Sequence, residues 1–309
     1  MKKINKKTII IITSVAALLI VALLVFFLFI NKDTSYRLLK IFEVDGTANV
    51  NREGKGDITP YNNMVLESGD RVSLDTGMLT IQADEDKFIH FQEDTEILLE
   101  ATGNSANSKT TIELVKGAIT NDIQNKLSGD SSYEINTPNS TMSVRGTVYY
   151  VDTYVEDGVV YTRVCVFNGG VETWLMFPDG TTAENAVAIA QGKETLIYYD
   201  GKVTDYVYET KDIDYFTLPD NVLELLAELD EDGRDVVITS DEANRIINGP
   251  YVVTFTNNGK VFGTQTVEKG KKATLPALQP EASGSWYLDG EPYDFDTPID
   301  RDVEIEWNK

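Results

Sequence analysis

Asp75-Thr76-Gly77 has the D-[ST]-G spelling with which aspartic proteases bring two carboxylates together to share one proton. No second copy exists in the chain, so a dyad would need a homodimer, and a hairpin turn after the strand-like Arg71–Leu74 is the expected structure. His90 is the only histidine and Cys165 the only cysteine. That pair cannot build a histidine–cysteine metal cage, and a Ser–His–Asp triad would have a single candidate base. Cys165 lies in the strand pattern Arg163–Phe167 and reads as a small buried apolar residue with no disulfide partner. Around Gly233, Glu228, Asp230 and Asp232 take the first three ligand positions of an EF-hand loop. Asp235 then falls on the loop's apolar position and Thr239 on its bidentate glutamate, so an ordinary helix–helix turn is expected. Of the 15 tyrosines, Tyr149, Tyr150, Tyr154, Tyr161, Tyr198, Tyr199, Tyr206 and Tyr208 could form a sugar-stacking platform. Tyrosine also suits half-buried strands. No catalytic, metal or cofactor-binding residues are expected, and no glycine-rich nucleotide loop is evident.

The elements that would position these groups are mostly strands. Stretches rich in Val, Ile, Tyr, Phe and Thr between turn dipeptides make 38–51, 78–82, 87–91, 95–100, 110–115, 147–155, 159–167 and 195–199 strand candidates. Asp45-Gly46, Gly69-Asp70, Asp157-Gly158, Asp179-Gly180 and Asp200-Gly201 read as tight turns, because glycine accepts the positive φ they need. Residues 213–249 are acidic and helical in pattern. Asp220 is placed to cap a helix carrying Val222, Leu225, Leu226 and Leu229, and Thr239 with Glu242 forms a capping box for a second. Strand composition returns in 250–309.

Thr8 to Ile30 carries no charge and follows Lys2, Lys3, Lys6 and Lys7. At 1.5 Å per residue it spans roughly 35 Å, enough for a ~30 Å hydrocarbon core. It lacks an A-x-A cleavage pattern, so an uncleaved anchor in the lipid bilayer is expected, with the amino terminus inside and the bulk outside. The chain holds 50 acidic against 27 basic residues, a net charge of −23, which argues against a nucleic-acid partner. The expected organisation is a cytoplasmic tail 1–7, a transmembrane anchor 8–30, a multi-stranded β domain 31–212, a helical spacer 213–249 and a small β domain 250–309. The fold class is mainly β.

Several motifs carry a family resemblance. Val44–Arg52 (VDGTANVNR), Asn63–Val72 (NMVLESGDRV), Glu113–Ile119 (ELVKGAI), Asn136–Asp152 (NTPNSTMSVRGTVYYVD) and Val166–Glu172 (VFNGGVE) follow in order. The stretch 38–172 resembles the FecR domain, the outer part of ferric-citrate-type signalling regulators. The resemblance singles out Gly46, Gly69, Asp70, Gly117, Thr137, Pro138, Arg145, Gly146 and Thr147. Pro138 should end a strand, since proline cannot donate to a ladder. Gly146 should permit close backbone approach, and Arg145 should be structural. Residues 250–309 are similar to an internalin-type B-repeat (the Listeria–Bacteroides repeat), a small β-grasp-like module. The carriers are Val253–Gly259, Gln265–Gly270, Gly284–Tyr287, Tyr293–Ile299 and Asp302–Trp307. Trp286, Phe295 and Trp307 would then be core.

Together these resemblances imply a single-pass cell-membrane protein of a bacterium, with both modules extracellular. Its binding role would be non-catalytic, toward a protein or a cell-wall or glycan ligand. The alternative is a sensor subunit acting laterally through its transmembrane helix. Classical FecR regulators bind a sigma factor with a cytoplasmic segment. Seven residues could not cover a standard interface of about 800 Å² per partner, so that activity is not expected of this polypeptide.

Overall fold

The computed structural model describes residues 38–104, 107–127, 130–144, 146–177, 179–198, 207–281 and 283–308. The apolar run 8–30 and Arg145 lie outside these. Among the described residues no helix is long and apolar enough to cross a membrane. The described chain is mainly β, with two α-helices.

Fourteen strands join one large sheet. They are β1 (Leu39–Arg52), β2 (Gly56–Ile58), β3 (Asp70–Ala83), β4 (Lys87–Phe91), β5 (Thr95–Gly103), β6 (Ser108–Ile123) and β7 (Ser132–Thr137). There follow β8 (Ser140–Val144), β9 (Val148–Glu156), β10 (Val159–Asn168), β11 (Gly170–Leu175), β12 (Val187–Ala190), β13 (Lys193–Tyr198) and β14 (Val207–Asp212). β6 organises the sheet. β5 and β4 pair in line along one of its edges, while β7 (parallel) and β9 (antiparallel) share the other.

Two of the expected turns are instead creases inside long strands. Gly46 of β1 and Gly77 of β3 face each other in register, with φ of 126° and 96°. A Cβ on Gly46 would lie 2.1 Å from the Thr76 carbonyl oxygen, and one on Gly77 would lie 2.2 Å from that of Asp45. Only glycine allows the two backbones to pass this closely. Asp75-Thr76-Gly77 is therefore mid-strand, not a hairpin end. Positive φ marks a crease as readily as a reversal, which is why the dipeptide signal misread both places. Gly117 continues the line across β6, where a Cβ would strike Thr95. Burial on β3 changes parity here, from Asp70, Val72 and Leu74 to Leu79, Ile81 and Ala83. Asp157-Gly158 does form the β9–β10 turn, with φ positive at both residues.

Past the crease, β6 is buried on both faces. Ile119 and Ile123 join the main core, while Ala118 joins a second. β9 and β10 divide the same way: Tyr149, Val151, Val164 and Val166 go to the first core, and Val148, Tyr150, Cys165 and Phe167 to the second. That two-sided burial accounts for their continuous apolar runs. The second core is closed by a 3-10 turn (Tyr215–Thr217) and helices α1 (Asp220–Glu231) and α2 (Ser240–Asn248). The acidic helical stretch thus lays Val222, Leu223, Leu226, Ile246 and Ile247 against the large sheet. Asp220 is the first helical residue rather than the cap; Pro219 occupies the cap position without a side-chain bond. Thr239 does cap α2, accepting from the Glu242 amide at 3.3 Å.

The remaining strands form a second sheet in the order β16-β15-β19-β17-β18. They are β15 (Tyr251–Asn257), β16 (Lys260–Val267), β17 (Ser285–Leu288), β18 (Glu291–Pro292) and β19 (Val303–Asn308). Tyr251 links it to the helices, its hydroxyl donating to the Ile246 carbonyl at 2.8 Å while its ring meets Phe216.

Candidate functional site

The groups most able to do chemistry are engaged in holding the fold. Asp75 is exposed, and its carbonyl accepts from the Asp94 amide at 3.2 Å. His90 is half-buried on β4 with Nδ1 3.2 Å from the Thr80 hydroxyl. Burial lowers its pKa to about 4, outweighing the attraction of Asp122, so the ring is neutral at physiological pH. Cys165 lies beneath the helices, and burial pushes its thiol up to about 12, far from the thiolate a nucleophile requires. In the 228–239 turn, Asp230 accepts from the Ser240 amide at 2.7 Å, and Arg234 reaches back to Asp122 at 2.8 Å. Among the described residues no group of three or more His, Cys, Asp or Glu side chains is arranged to hold a metal ion.

The tyrosines separate by location. Tyr149 and Tyr150 are buried, whereas Tyr154, Tyr161 and Tyr198 form a cross-strand ladder on β9, β10 and β13 with ring centroids 5.2 and 5.1 Å apart. Tyr154 and Tyr161 stack at 12° between planes, so each spends a ring face on the other and a sugar loses that stacking surface. Tyr199 and Tyr206 lie outside the described residues, and only the backbone of Tyr208 is described. At the helix-covered end of the ladder lies a charged cluster. Arg163 binds Glu194 at 2.5 Å and the Thr217 hydroxyl at 2.7 Å, and Lys211 reaches Glu194 at 3.2 Å. Burial raises Glu194, but the hydrogen bond and charge of Arg163 outweigh it and bring the carboxyl below its ordinary value. Burial raises neighbouring Asp152 to about 6 despite Arg163.

The motif residues fall into distinct constellations. Asp70 is buried and takes a bidentate contact from Arg52, Nε to Oδ1 at 2.7 Å and Nη2 to Oδ2 at 2.6 Å, while the Glu67 amide donates to Oδ2 at 2.8 Å. Gly69, with φ 93°, makes the turn leading into it. Thr137 ends β7, and Pro138 with Asn139 turns the chain into β8. Asn139 plugs the neighbouring strands. Its amide donates to the carbonyls of Val160 at 3.0 Å and Ile197 at 3.1 Å, and its Oδ1 accepts from Thr162 at 2.6 Å. Sequence reasoning did not single out Asn139; its partner Ile197 is 58 residues away, and no local pattern reports such a contact. Gly146 packs on Lys126, and the Thr147 hydroxyl donates to the Gly170 carbonyl at 3.1 Å. Trp286 and Trp307 are buried in the second sheet with rings 5.1 Å apart, and Phe295 stacks 6.3 Å from Phe255.

Several concavities border these elements, two of them beside the residues above. The first, about 600 Å³, has Val144, Val171 and Ile189 for apolar walls and the hydroxyls of Ser131, Ser132 and Ser143 beside them. The second, about 470 Å³, runs between α1 and the outer face of β1, β3, β4 and β6.

No curated protein matches the chain. Two crystal structures, at 1.65 and 2.50 Å, of a protein proposed to be an anti-sigma factor from Parabacteroides distasonis ATCC 8503 are similar to it. Each is 12% identical with a TM-score of 0.37, covering 77% of this chain and 98% of its own. Residues 70–172, from β3 into β11, match the family model of the FecR protein.

Proposed function

We propose that the chain is a non-catalytic, single-pass membrane protein that presents a FecR-like β domain and a B-repeat-like C-terminal sheet outside the cell for binding. The observation that carries the non-catalytic part is the fate of His90 and Cys165. One is neutral and tied to Thr80, and the other is a buried thiol held protonated beneath helices. The uncharged run 8–30 behind four lysines supports the anchor, and the acidic remainder suits an outer surface. The test is protease shaving of intact cells expressing the full chain with a C-terminal tag. Digestion of the tag without lysis is expected; a tag protected until lysis overturns the topology.

The match to the FecR protein family favours a second reading, a sensor whose output passes laterally through the transmembrane segment. Scrambling residues 8–30 at constant hydrophobicity separates the two. A tether keeps its surface display and any cellular response, whereas a lateral sensor keeps display and loses the response.

A further inference from the structure

Four polar side chains lie side by side across four strands under the edge of α1. Glu43 pairs in register with Thr80, Thr80 with His90, and His90 with Thr120. This row floors the 470 Å³ groove, and its inner end is unsatisfied. The Thr120 side chain is fully buried, lines the groove, and its hydroxyl makes no hydrogen bond. A buried hydroxyl without a partner costs about 1–3 kcal/mol, so it is a place where a ligand gains by supplying one.

The wall above comes from one face of α1. Asn221, Glu224, Leu225 and Glu228 fall at helical spacing and line the groove together. Three carboxylates, Glu43, Glu224 and Glu228, line the cavity, and no lysine or arginine does. The neutral His90 adds no positive charge. The groove therefore offers oxygen acceptors and negative charge, and it asks for a donor-rich cation. Its mouth is apolar: Phe42 is 45% and Met78 46% exposed, and Leu225 lies opposite on the helix. A free small amine would leave that lip in water, whereas a polypeptide carrying the amine would cover it.

We infer that this groove receives a lysine side chain from a partner polypeptide. The ammonium would lie among Glu224, Glu228 and the Thr120 hydroxyl, with its methylenes along Phe42, Met78 and Leu225. The inference deepens the binding reading and rests on it only for the domain being accessible to partners. Topology is tested separately by shaving, and the experiment below runs in detergent micelles, where topology has no bearing.

The probe is the peptide Ac-Leu-Lys-Leu-NH2 against Ac-Leu-norleucine-Leu-NH2, which keeps the stem length and lacks the ammonium. Because His90 is the sole histidine, its imidazole C–H signal is a single NMR reporter on the groove floor of the full-length chain. Saturable movement of that signal by the lysine peptide is expected, with the norleucine peptide about tenfold weaker or more, as for loss of a charge-assisted hydrogen bond. Glu224→Gln with Glu228→Gln should weaken the lysine peptide by a similar factor, and Thr120→Val by a few-fold, with amide protection of α1 unchanged as the fold control. Equal affinity for both peptides, or no His90 movement, overturns the site. Equal affinity for n-butylammonium and the lysine peptide overturns the polypeptide partner.

Discussion

Asn139, Thr137 and Thr162 knot the large sheet together through hydrogen bonds under 3.2 Å, and the Gly46–Gly77 pair lets its strands crease. The small sheet has a different interior. Phe255 meets Trp286 at 5.0 Å, Trp286 meets Trp307 at 5.1 Å, and the indole nitrogens of both tryptophans make no hydrogen bond. A polar knot needs one residue type at each position, because geometry and donor count are both prescribed. An aromatic core needs volume and shape, and several residues can supply those. The family match covers 70–172, which holds Gly77, Thr137, Asn139 and Thr162.

The largest break in this comparison should come at the crease. Gly77→Ala places a Cβ 2.2 Å from the Asp45 carbonyl oxygen and forces a left-handed φ on alanine. A loss on the order of 4 kcal/mol is expected. Hydrogen exchange read strand by strand is the appropriate measurement, since one melting temperature is not defined for two sheets. Protection should fall across β1, β3 and β6 and persist in β15 and β19; uniform loss across both sheets would show that they fold as one unit. Asn139→Ala comes next, at about 3 kcal/mol, because it takes the amide donor from the Val160 and Ile197 carbonyls in a dry interior and leaves the Thr162 hydroxyl only Thr137 as acceptor. Its effect should centre on β8, β10 and β13.

Much of this architecture was legible in the sequence. Alternation located β4 at its observed ends, and continuous apolar runs located β9 and β10 within a residue or two. Asp45-Gly46 and Asp75-Thr76-Gly77 were misread as reversals, since glycine reports a torsion angle and not what the chain does after it. The polar knot was half visible: Thr137-Pro138 marks the end of β7, but the contact that gives Asn139 its role comes from β13. The groove under α1 was invisible for the same reason. Its floor and wall come from segments far apart in sequence, and nothing local foretells that Thr120 will lack a partner.

The pH dependence of the large sheet should show two opposed contributions. His90 falls from 6.5 to about 4 on folding, so its stabilisation is present above pH 6.5 and is lost as pH drops through 4. Asp152 rises from 3.8 to about 6, so its stabilisation is present below pH 3.8 and is lost as pH climbs through 6. Each is on the order of 3 kcal/mol, and they largely cancel between pH 4 and 6. Asp152→Asn should leave large-sheet stability rising with pH over that window, and His90→Gln should leave it falling. Urea titrations at pH 4, 5 and 6, read by pulse exchange of β4 and β10, would show the two slopes. Parallel slopes in both variants would sink the assignment.

The smallest expected effect tests the aromatic side of the comparison. Trp286→Phe keeps a ring against Phe255 and removes an indole N–H that has no acceptor. Lost ring area costs stability, while removing an unsatisfied buried donor restores part of it. The net loss should be about 1 kcal/mol or less, confined to β15, β17 and β19. Trp307→Phe should behave alike, its nitrogen being equally unpartnered. Were either substitution to cost as much as Asn139→Ala, the indole N–H would have an acceptor in solution, and the small sheet would be as strictly prescribed as the large one.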